Sequence, residues 1–352
     1  MKEVHVLLGT DSYTVYFDSG LLGRVPEILD TVKPYDRITV VSDSNVFPLY
    51  GDKLCRAIGI PPENAFVFEA GETSKTGETV MSMYEHFCRQ KLTRSSIVLA
   101  LGGGVVGDLC GFAAATYMRG IRYIQIPTTL LAMTDSSIGG KTGFDLPFGK
   151  NLVGAFHQPQ AVIGDFDVLS TVKPQFITDG MAEVIKYAMI CDASMFYSLA
   201  EDPQISMKDI IVRCAEIKAS VVSADARENG IRKILNFGHT IGHALEKCSD
   251  FSGITHGCAV AVGMMAAVCF GEATGQTASG TSEKLLAVLN RFGLPSKSSE
   301  NAENIISCLH ADKKCNRDTI DFILCSEIGK AKVFPTELER IAEFVRNFFR
   351  TE

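Results

Sequence analysis

The feature that most constrains the fold is a change of periodicity about half-way along the chain. Up to Lys173, short apolar runs typical of β-strands alternate with helical patterns and turn signals. From Pro174 to Leu294 the period is helical, with little alternation. Alternating strands and helices favour βαβ units, which build a mostly parallel sheet with helices on both faces. We therefore expect an α/β domain over residues 1–173, an all-α domain over residues 174–352, and a site in the cleft between them.

The first domain has a regular series of predicted elements. The predicted strands are Arg37–Ser42, Ala65–Glu69, Ser96–Leu101, Tyr123–Pro127 and Ala161–Asp165, and the predicted helices are Glu78–Lys91 and Val105–Met118. The segments lack low-complexity linkers and internal repeats, so the boundary between the domains is not marked by composition.

Composition and charge narrow the classes of function. The chain has 352 residues, enough for two domains, and 46% of them are hydrophobic. A net charge of −7 argues against nucleic acid as the main partner. We expect no membrane span, because no run of about 18 apolar residues is evident, and no export, because no cleavage site follows the N-terminus. Eleven cysteines without C-x-x-C spacing indicate a reducing cytoplasm.

A glycine-rich loop joins a buried-strand pattern to a helical one. Gly102, Gly104 and Gly107 satisfy G-x-G-x-x-G directly after Leu101. Without side chains the backbone can approach a pyrophosphate, and the N-terminus of the helix supplies N–H donors and a favourable dipole. The sequence therefore predicts a Rossmann-like site for a dinucleotide. The alternative is a tight turn whose glycines serve only packing.

Two details qualify the nucleotide prediction. The strand Tyr123–Pro127 ends without the acidic residue that usually binds the adenine ribose, so Asp43 and Asn45 are the candidates for that contact. A second cluster around Lys141 is not a P-loop, because position 135 holds aspartate where that motif needs glycine. Lys141 can still bind a phosphate as a point charge.

Histidines concentrate in one part of the second domain. His239 and His243 are four residues apart and share a helix face, and His256 follows. Imidazoles so arranged suit Zn²⁺ with an open coordination position. The zincin motif is absent, since Thr240 stands where it needs glutamate. The alternative is a chance meeting of core or surface histidines.

Carboxylates and cations flank these histidines. Glu183 and Lys186 lie three residues apart on a helix, either as a surface ion pair or as a metal ligand beside a substrate-binding cation. Glu228 and Arg232 precede the histidine helix and suit acid–base work and carboxylate recognition. Taken alone, such a segment is more often a solvated turn.

Together these segments resemble the dehydroquinate synthase family, from about Asp43 to about Lys314. The motifs that carry the resemblance are Gly71–Lys75, Gly102–Asp108, Arg119–Gly120, Pro127–Leu131, Asp135–Gly143, Gly149–Asn151, Ala182–Lys186, Arg232–His243 and His256–Gly257. The resemblance implies a dehydroquinate synthase-like fold. Cys258 departs from the family pattern, in which an acidic residue is common at this position.

The resemblance also implies a role for each matching residue. Zinc, with cobalt as a substitute, is expected on Glu183, His239 and His256, which leaves His243 for proton transfer with Glu228 as its partner. NAD is expected on Asp43, Ser44, Asn45, Glu72, Lys75, Gly103, Gly104, Val105, Asp108, Thr128, Thr129, Lys150, Val168, Leu169, Ser170 and Thr171. The substrate is expected on Asp135, Lys141, Asn151, Lys186, Lys218, Arg232, Asn236 and Lys314, with Lys313 as the alternative to Lys314. Lys141 counts among the catalytic residues, as does Arg119, which would reach a neighbouring site in a homodimer.

The implied reaction converts 3-deoxy-arabino-heptulosonate 7-phosphate to 3-dehydroquinate and phosphate. It would proceed by transient oxidation with NAD, elimination of phosphate, re-reduction and an internal aldol closure. Three other functions remain open: another sugar-phosphate cyclase, a metal-dependent polyol dehydrogenase, and a sensor that binds zinc and NAD without catalysis.

Overall fold

The structure, a computed structural model, describes residues 1–248, 253–311 and 319–350. Its residues cluster into two compact units. The first comprises Met1–Lys173 and Ile211–Arg227, and the second comprises Pro174–Ile210 and Glu228–Glu352. The boundary at Lys173 agrees with the change of periodicity. The segment Ile211–Arg227 differs from the prediction of two contiguous domains, because it belongs to the first unit.

Contacts with the first unit explain why Ile211–Arg227 belongs to it. Its Ser223 hydroxyl accepts a hydrogen bond of 2.8 Å from the backbone N–H of Leu7, and Lys218 donates one of 2.7 Å to the carbonyl of Asp135. Helical periodicity shows that one face of a helix is buried, but not which element covers that face. The sequence pattern alone could not have assigned Ile211–Arg227 to the first unit.

The first unit is built on a sheet and flanking helices. Its strands are β1 Lys2–Val6, β2 Tyr13–Asp18, β3 Ile38–Asp43, β4 Phe66–Phe68, β5 Ile97–Gly102, β6 Arg122–Pro127, β7 Lys141–Leu146, β8 Gly149–Phe156 and β9 Ala161–Asp165. Its helices are α1 Val25–Thr31, α2 Asp52–Ile58, α3 Gly77–Arg89 and α4 Gly104–Thr116. The seven-stranded sheet has the order β1-β2-β9-β6-β5-β3-β4 and is parallel except for the pair β1 and β2. This confirms the mostly parallel sheet.

The predicted strands and helices of this unit agree with the structure to within two residues at each end. The strand β5 is buried along its whole length, which explains its uninterrupted apolar sequence. The hairpin of β1 with β2 and the hairpin of β7 with β8 were not predicted. The pairing of β7 with β8 shifts register between Phe144 and Leu146, and such irregularity weakens the alternation that marks a strand.

The second unit is mainly helical. Its helices are α5 Pro174–Cys191, α6 Ala193–Glu201, the first part of α7 Met207–Ala224, α8 His239–Cys248, α9 His256–Ala273, α10 Thr281–Arg291, α11 Ala302–Ala311 and α12 Leu338–Phe348. The helical character is confirmed, but the unit is not all-α. An antiparallel hairpin of β10 Thr319–Glu327 and β11 Lys330–Glu337 contacts the core helices through residues such as Phe322, whose ring lies 5.4 Å from that of Phe270.

The helix α9 forms the centre of this unit. It is the one helix among the described residues that is long and apolar enough to span a membrane, with a mean hydropathy of 1.4. The expectation that the chain has no apolar run of about 18 residues is therefore wrong for α9. The protein itself buries 72% of the helix, which accounts for its apolar composition.

Glycines allow α9 to lie close to α8. A Cβ on Gly263 would come within 1.9 Å of the carbonyl oxygen of Gly238, and one on Gly242 within 3.1 Å of the carbonyl oxygen of Ala259. Gly238 also has a φ of 80°, a conformation that favours glycine. This close crossing sets the distance between the first turns of the two helices, where His239 and His256 lie.

Candidate active site

Three helices of the second unit bring together a carboxylate and two imidazoles. Glu183 lies within α5, while His239 and His256 are the first residues of α8 and α9. The Glu183 Oε1 atom is 3.5 Å from the Nε2 atom of each histidine. The three ligand atoms lie within 4.8 Å of one another. One carboxylate oxygen and two imidazole nitrogens at this separation can share a divalent cation such as Zn²⁺.

Burial and charge favour a cation at this position. Glu183 is fully buried, and its Oε1 accepts no hydrogen bond from any residue that the structure describes. An ionised carboxylate in such a place needs a positive partner. Lys186 forms an ion pair with the other oxygen, Oε2. The Oε1 atom therefore remains available to a metal ion, and the donor set fits zinc.

The two histidines differ in their electrostatic surroundings. Burial, helped by the nearby charge of Lys186, holds the pKa of His239 well below its usual value, so this ring is neutral and can donate a lone pair. Burial also acts against the charged form of His256, but the neighbouring carboxylates of Glu183 and Glu246 outweigh it and raise the pKa of His256 to about 10.

Hydrogen bonds at the second ring nitrogen orient both imidazoles. The Nδ1 of His239 is 3.1 Å from the carbonyl oxygen of Phe237, which can only accept, so Nδ1 carries the proton and Nε2 faces Glu183. The Nδ1 of His256 is 3.4 Å from Oε2 of Glu246. Both rings thus direct Nε2 toward Glu183.

Further contacts hold the first turn of α9 in place. The backbone N–H of Gly257 donates a hydrogen bond of 2.7 Å to Asp179, which lies one helical turn before Glu183 on α5. Thr255 caps α9 by accepting a hydrogen bond of 3.4 Å from the N–H of Cys258. A Cβ on Gly257 would lie 2.1 Å from the carbonyl oxygen of Asp179, so only glycine permits this approach.

Sequence reasoning missed Asp179 and Glu246. A signal existed for each of them. Glu246 follows His239 by seven residues and His243 by three, which continues the same face of α8. Asp179 precedes Glu183 by four residues on α5. Helical spacing could have placed both residues on the metal-facing sides of their helices. It could not have shown which atoms they contact.

The predicted acid–base residues lie in the same unit. The ring of His243 is exposed and its centroid is 5.2 Å from that of His239 and 6.4 Å from that of His256. Glu228 accepts a hydrogen bond of 2.6 Å from Asn236 and has a φ of 61°. Such a backbone conformation is costly for a residue other than glycine and is frequent at functional sites. Arg232 is only 1% exposed.

In the first unit, the glycine loop lies between β5 and α4 as predicted. A Cβ on Gly107 would come within 2.4 Å of the Gln125 side chain, which explains why the third glycine of the motif is needed for close packing of α4 on β6. Gly103 and Gly104 are half-buried; Gly103 directly precedes α4, and Gly104 is the first residue of that helix. They leave the N–H groups of that turn open to an anion.

A lysine cluster adjoins this loop. The Nζ of Lys75 is 2.7 Å from Asp108, 2.7 Å from the Asn151 side chain and 3.9 Å from Glu72. Although burial opposes its charge, these carboxylates raise the pKa of Lys75 above its usual value. Lys150 lies 3.9 Å from Glu72. The structure thus brings together five residues that the resemblance assigned to NAD or to the substrate.

The remaining NAD candidates lie at strand ends and in turns of the first unit. Asp43 ends β3 and accepts hydrogen bonds of 2.9 Å from the N–H groups of Asn45 and Val46. Ser44 accepts one of 3.0 Å from Ala70. Thr128 and Thr129 follow β6, and Val105 lies in the first turn of α4. Val168, Leu169, Ser170 and Thr171 form most of a 3₁₀ helix, Phe166–Thr171, that contacts Tyr50.

The other predicted residues have the following positions. Lys218 forms an ion pair with Asp135. Lys141 is exposed at the start of β7. Arg119 is also exposed and has a φ of 69°. Lys313 and Lys314 lie outside the described residues.

Comparison with known proteins identifies the family to which the chain belongs. Residues 65–179 match the model described as 3-dehydroquinate synthase N-terminal, and residues 180–315 match the one described as 3-dehydroquinate synthase C-terminal. The 3-dehydroquinate synthase of Clostridium acetobutylicum is 40% identical over 354 residues, which covers 98% of this chain and 99% of that protein. The chain belongs to the 3-dehydroquinate synthase family.

Solved structures of related cyclases have the same fold as this family member. A 2-deoxy-scyllo-inosose synthase in complex with carbaglucose-6-phosphate, NAD⁺ and Co²⁺ is 28% identical, with a TM-score of 0.84 over 99% of this chain and 100% of that chain. The 2-epi-5-epi-valiolone synthase of Streptomyces hygroscopicus subsp. jinggangensis 5008, with NAD⁺ and Zn²⁺ bound, is 26% identical, with a TM-score of 0.85 over 99% and 98%. The dehydroquinate synthase-like fold is confirmed.

Proposed function

We propose that the protein is a 3-dehydroquinate synthase that uses NAD and a divalent metal, Zn²⁺ or Co²⁺. It would convert 3-deoxy-D-arabino-heptulosonate 7-phosphate to 3-dehydroquinate and phosphate, a step of aromatic amino-acid biosynthesis. The observation that carries the proposal is the convergence of Glu183, His239 and His256 in a chain 40% identical to a 3-dehydroquinate synthase. The reaction releases phosphate and has no net redox change, so the protein would be a phosphorus–oxygen lyase.

When bound, NAD⁺ supplies a temporary hydride acceptor and the metal supplies a Lewis acid for one ring hydroxyl of the substrate. Glu183, His239 and His256 hold the metal. His243 moves the proton of that hydroxyl. Its exposed ring, 5.2 Å from that of His239, lies beside the residues that would hold the metal, and Glu228 would exchange the proton further.

Cationic side chains would bind the anionic groups of the substrate. Arg232 suits the carboxylate, because a guanidinium forms two parallel hydrogen bonds with it, and Asn236 assists through its amide. Lys186, Lys218, Lys141 and a lysine at position 313 or 314 would bind phosphate or hydroxyl oxygens, together with Asp135 and Asn151.

NAD would bind to the first unit, with its pyrophosphate at Gly103, Gly104 and Val105 and its ribose near Asp43 and Asn45. The other contacts would come from Ser44, Glu72, Lys75, Asp108, Thr128, Thr129, Lys150 and the segment 168–171. We further infer a homodimer in which Arg119 reaches the neighbouring site, with exposure and a strained φ as its support. The free thiols of the ten cysteines that the structure describes favour a cytoplasmic location.

The test is an assay of the purified protein with the heptulosonate phosphate, Zn²⁺ and NAD⁺ far below the substrate concentration. A synthase releases phosphate in many-fold excess over NAD⁺ and forms 3-dehydroquinate. Glucose 6-phosphate is the matched substrate without a carboxylate, and it should not turn over. Its turnover in place of the heptulosonate phosphate would indicate a related cyclase.

Two other outcomes would contradict the proposal. Conversion of the NAD⁺ present to NADH, one for each substrate molecule oxidised, without release of phosphate, would indicate a polyol dehydrogenase. Tight binding of zinc and NAD without any turnover would indicate a sensor.

A further inference from the structure

Glu246 is a buried carboxylate for which the reaction above has no use. It lies on α8 and is only 2% exposed. Its Oε2 atom is 3.4 Å from Nδ1 of His256, on the opposite edge of the ring from the nitrogen that faces Glu183. A carboxylate loses favourable hydration when it is buried, so its position here calls for a partner that compensates.

The geometry determines what this contact does to the imidazole. A carboxylate can only accept a hydrogen bond, so it keeps a proton on Nδ1 of His256. Once a cation displaces the other ring proton, the lone pair of the ring is on Nε2, which lies 3.5 Å from Glu183. A negative partner at Nδ1 also makes Nε2 a stronger donor toward a cation.

The two histidines are held by different means. His239 donates to the carbonyl oxygen of Phe237, a neutral backbone group only two residues away. His256 depends on a charged side chain of another helix. Its own side chain is 33% exposed, against 12% for His239, so surrounding atoms restrict the His256 ring less. The orientation of His256 therefore depends more on this one contact.

We propose that Glu246 is a positioning residue for the metal site. It holds the ring of His256 with Nε2 directed at the cation, and the affinity of the protein for a divalent metal depends on it. The helix α8 thereby provides one ligand, His239, and the residue that orients another. This inference rests on the proposed metal site of Glu183, His239 and His256.

The test measures metal binding rather than activity. The metal-free protein and its variants compete with a chromophoric chelator for Zn²⁺, which gives a dissociation constant. We expect Glu246→Ala to weaken Zn²⁺ binding by about 10- to 100-fold. Glu246→Gln keeps an acceptor for the Nδ1 proton but loses the charge, so its affinity should fall by a smaller factor, about 3- to 10-fold.

Glu272→Ala is the matched control. Glu272 is a carboxylate near the far end of α9 that accepts hydrogen bonds of 3.0 and 2.6 Å from Ser282. Sixteen residues of helix separate it from His256, a length of about 24 Å. Its removal costs hydrogen bonds and stability but should leave the Zn²⁺ dissociation constant unchanged.

A second readout is the visible absorption spectrum of the protein loaded with Co²⁺. Because a change in the His256 ligand alters the field around the metal, Glu246→Ala should shift the Co²⁺ bands while Glu272→Ala leaves them in place. Glu246→Gln should give bands between those of Glu246→Ala and the unaltered protein.

The outcomes separate this inference from the proposed function. If the unaltered protein fails to bind one Zn²⁺ tightly, the proposed metal site itself is wrong. If it does bind one, and Glu246→Ala binds Zn²⁺ equally well with the same Co²⁺ spectrum, the role of Glu246 is refuted. Should Glu246→Ala not fold, Glu246→Gln decides, and a dissociation constant equal to that of the unaltered protein overturns the inference.

Discussion

Among the described residues of the second unit, four charged side chains are at most 2% exposed: Glu183, Lys186, Arg232 and Glu246. Charged residues are almost never buried so fully unless they are paired, because the loss of hydration is costly. For Glu183 and Lys186, the sequence left open an ordinary pair on a helix surface. Their burial excludes that alternative.

The first prediction concerns a metal ligand. His256→Ala removes one of three donors, so Zn²⁺ content and the rate of phosphate release should both fall, the rate by more than about 100-fold. Metal analysis of the purified variant and the phosphate assay measure the two effects. His5→Ala, at an exposed position of β1, is the control and should keep both. Full activity of His256→Ala without zinc would contradict the metal role.

The second prediction concerns Arg232, which should recognise the substrate carboxylate. Arg232→Lys replaces a planar fork by a point charge, so the KM for the heptulosonate phosphate should rise by about tenfold or more. The dissociation constant for NAD, measured by fluorescence titration, should stay within a factor of two of the unaltered value. Equal losses for substrate and NAD would count against this role.

At the scale of elements, the metal site depends on where helices begin. His239 and His256 each occupy the first position of a helix, and Glu183 lies in the middle of a third. The crossing of α8 and α9 sets the separation of the two histidines, and the contact of Gly257 with Asp179 ties α9 to α5. Small residues at these contacts are therefore part of the metal site, although they contribute no ligand.

The third prediction tests this crossing. Gly263→Ala places a methyl group 1.9 Å from the carbonyl oxygen of Gly238, so the backbone next to His239 must move. We expect a loss of about 1–3 kcal/mol in the free energy of unfolding and weaker Zn²⁺ binding. Denaturant titration and chelator competition measure the two changes.

The control for this prediction is Gly23→Ala. Its added Cβ would meet nothing within 4 Å, so the free energy of unfolding should change by less than about 0.5 kcal/mol. A Gly263→Ala variant as stable as Gly23→Ala would show that the two helices can separate without cost.

At the scale of the whole molecule, the two units carry different parts of the proposed chemistry. The glycine loop and the lysine cluster around Lys75 belong to the first unit, and the metal ligands with Glu228 and His243 belong to the second. The proposed homodimer adds Arg119 from a second chain. The contribution of Arg119 can be tested by mixing two variants.

The fourth prediction uses two inactive variants. Arg119→Ala and His256→Ala should each lose activity, but a mixture of the two, refolded together, should regain about a quarter of the activity of the unaltered protein. Random pairing makes half of the dimers mixed, and one of the two sites in each mixed dimer is intact. The phosphate assay measures the recovery. A mixture as inactive as its components would show that Arg119 acts within its own chain.

Much of the first unit was predictable because its signals are local. The apolar run of β5, the glycines that follow it and the first turn of α4 are adjacent in the chain, and period and motif suffice to recognise them. The hairpin of β7 with β8 and that of β10 with β11 were not predicted. In the first of them, the register shift between Phe144 and Leu146 breaks the alternation on which strand prediction depends.

For the site, the sequence by itself determined which residue types were available. It indicated a zinc site near His239, and the resemblance replaced His243 by Glu183 as a ligand. Only the tertiary structure decided that the ligand atoms of Glu183, His239 and His256 lie within 4.8 Å. The same holds for Glu246 at His256, Asp179 at Gly257 and the assignment of Ile211–Arg227 to the first unit. Periodicity reports on neighbours within a few turns, whereas contacts between helices depend on packing that no local pattern encodes.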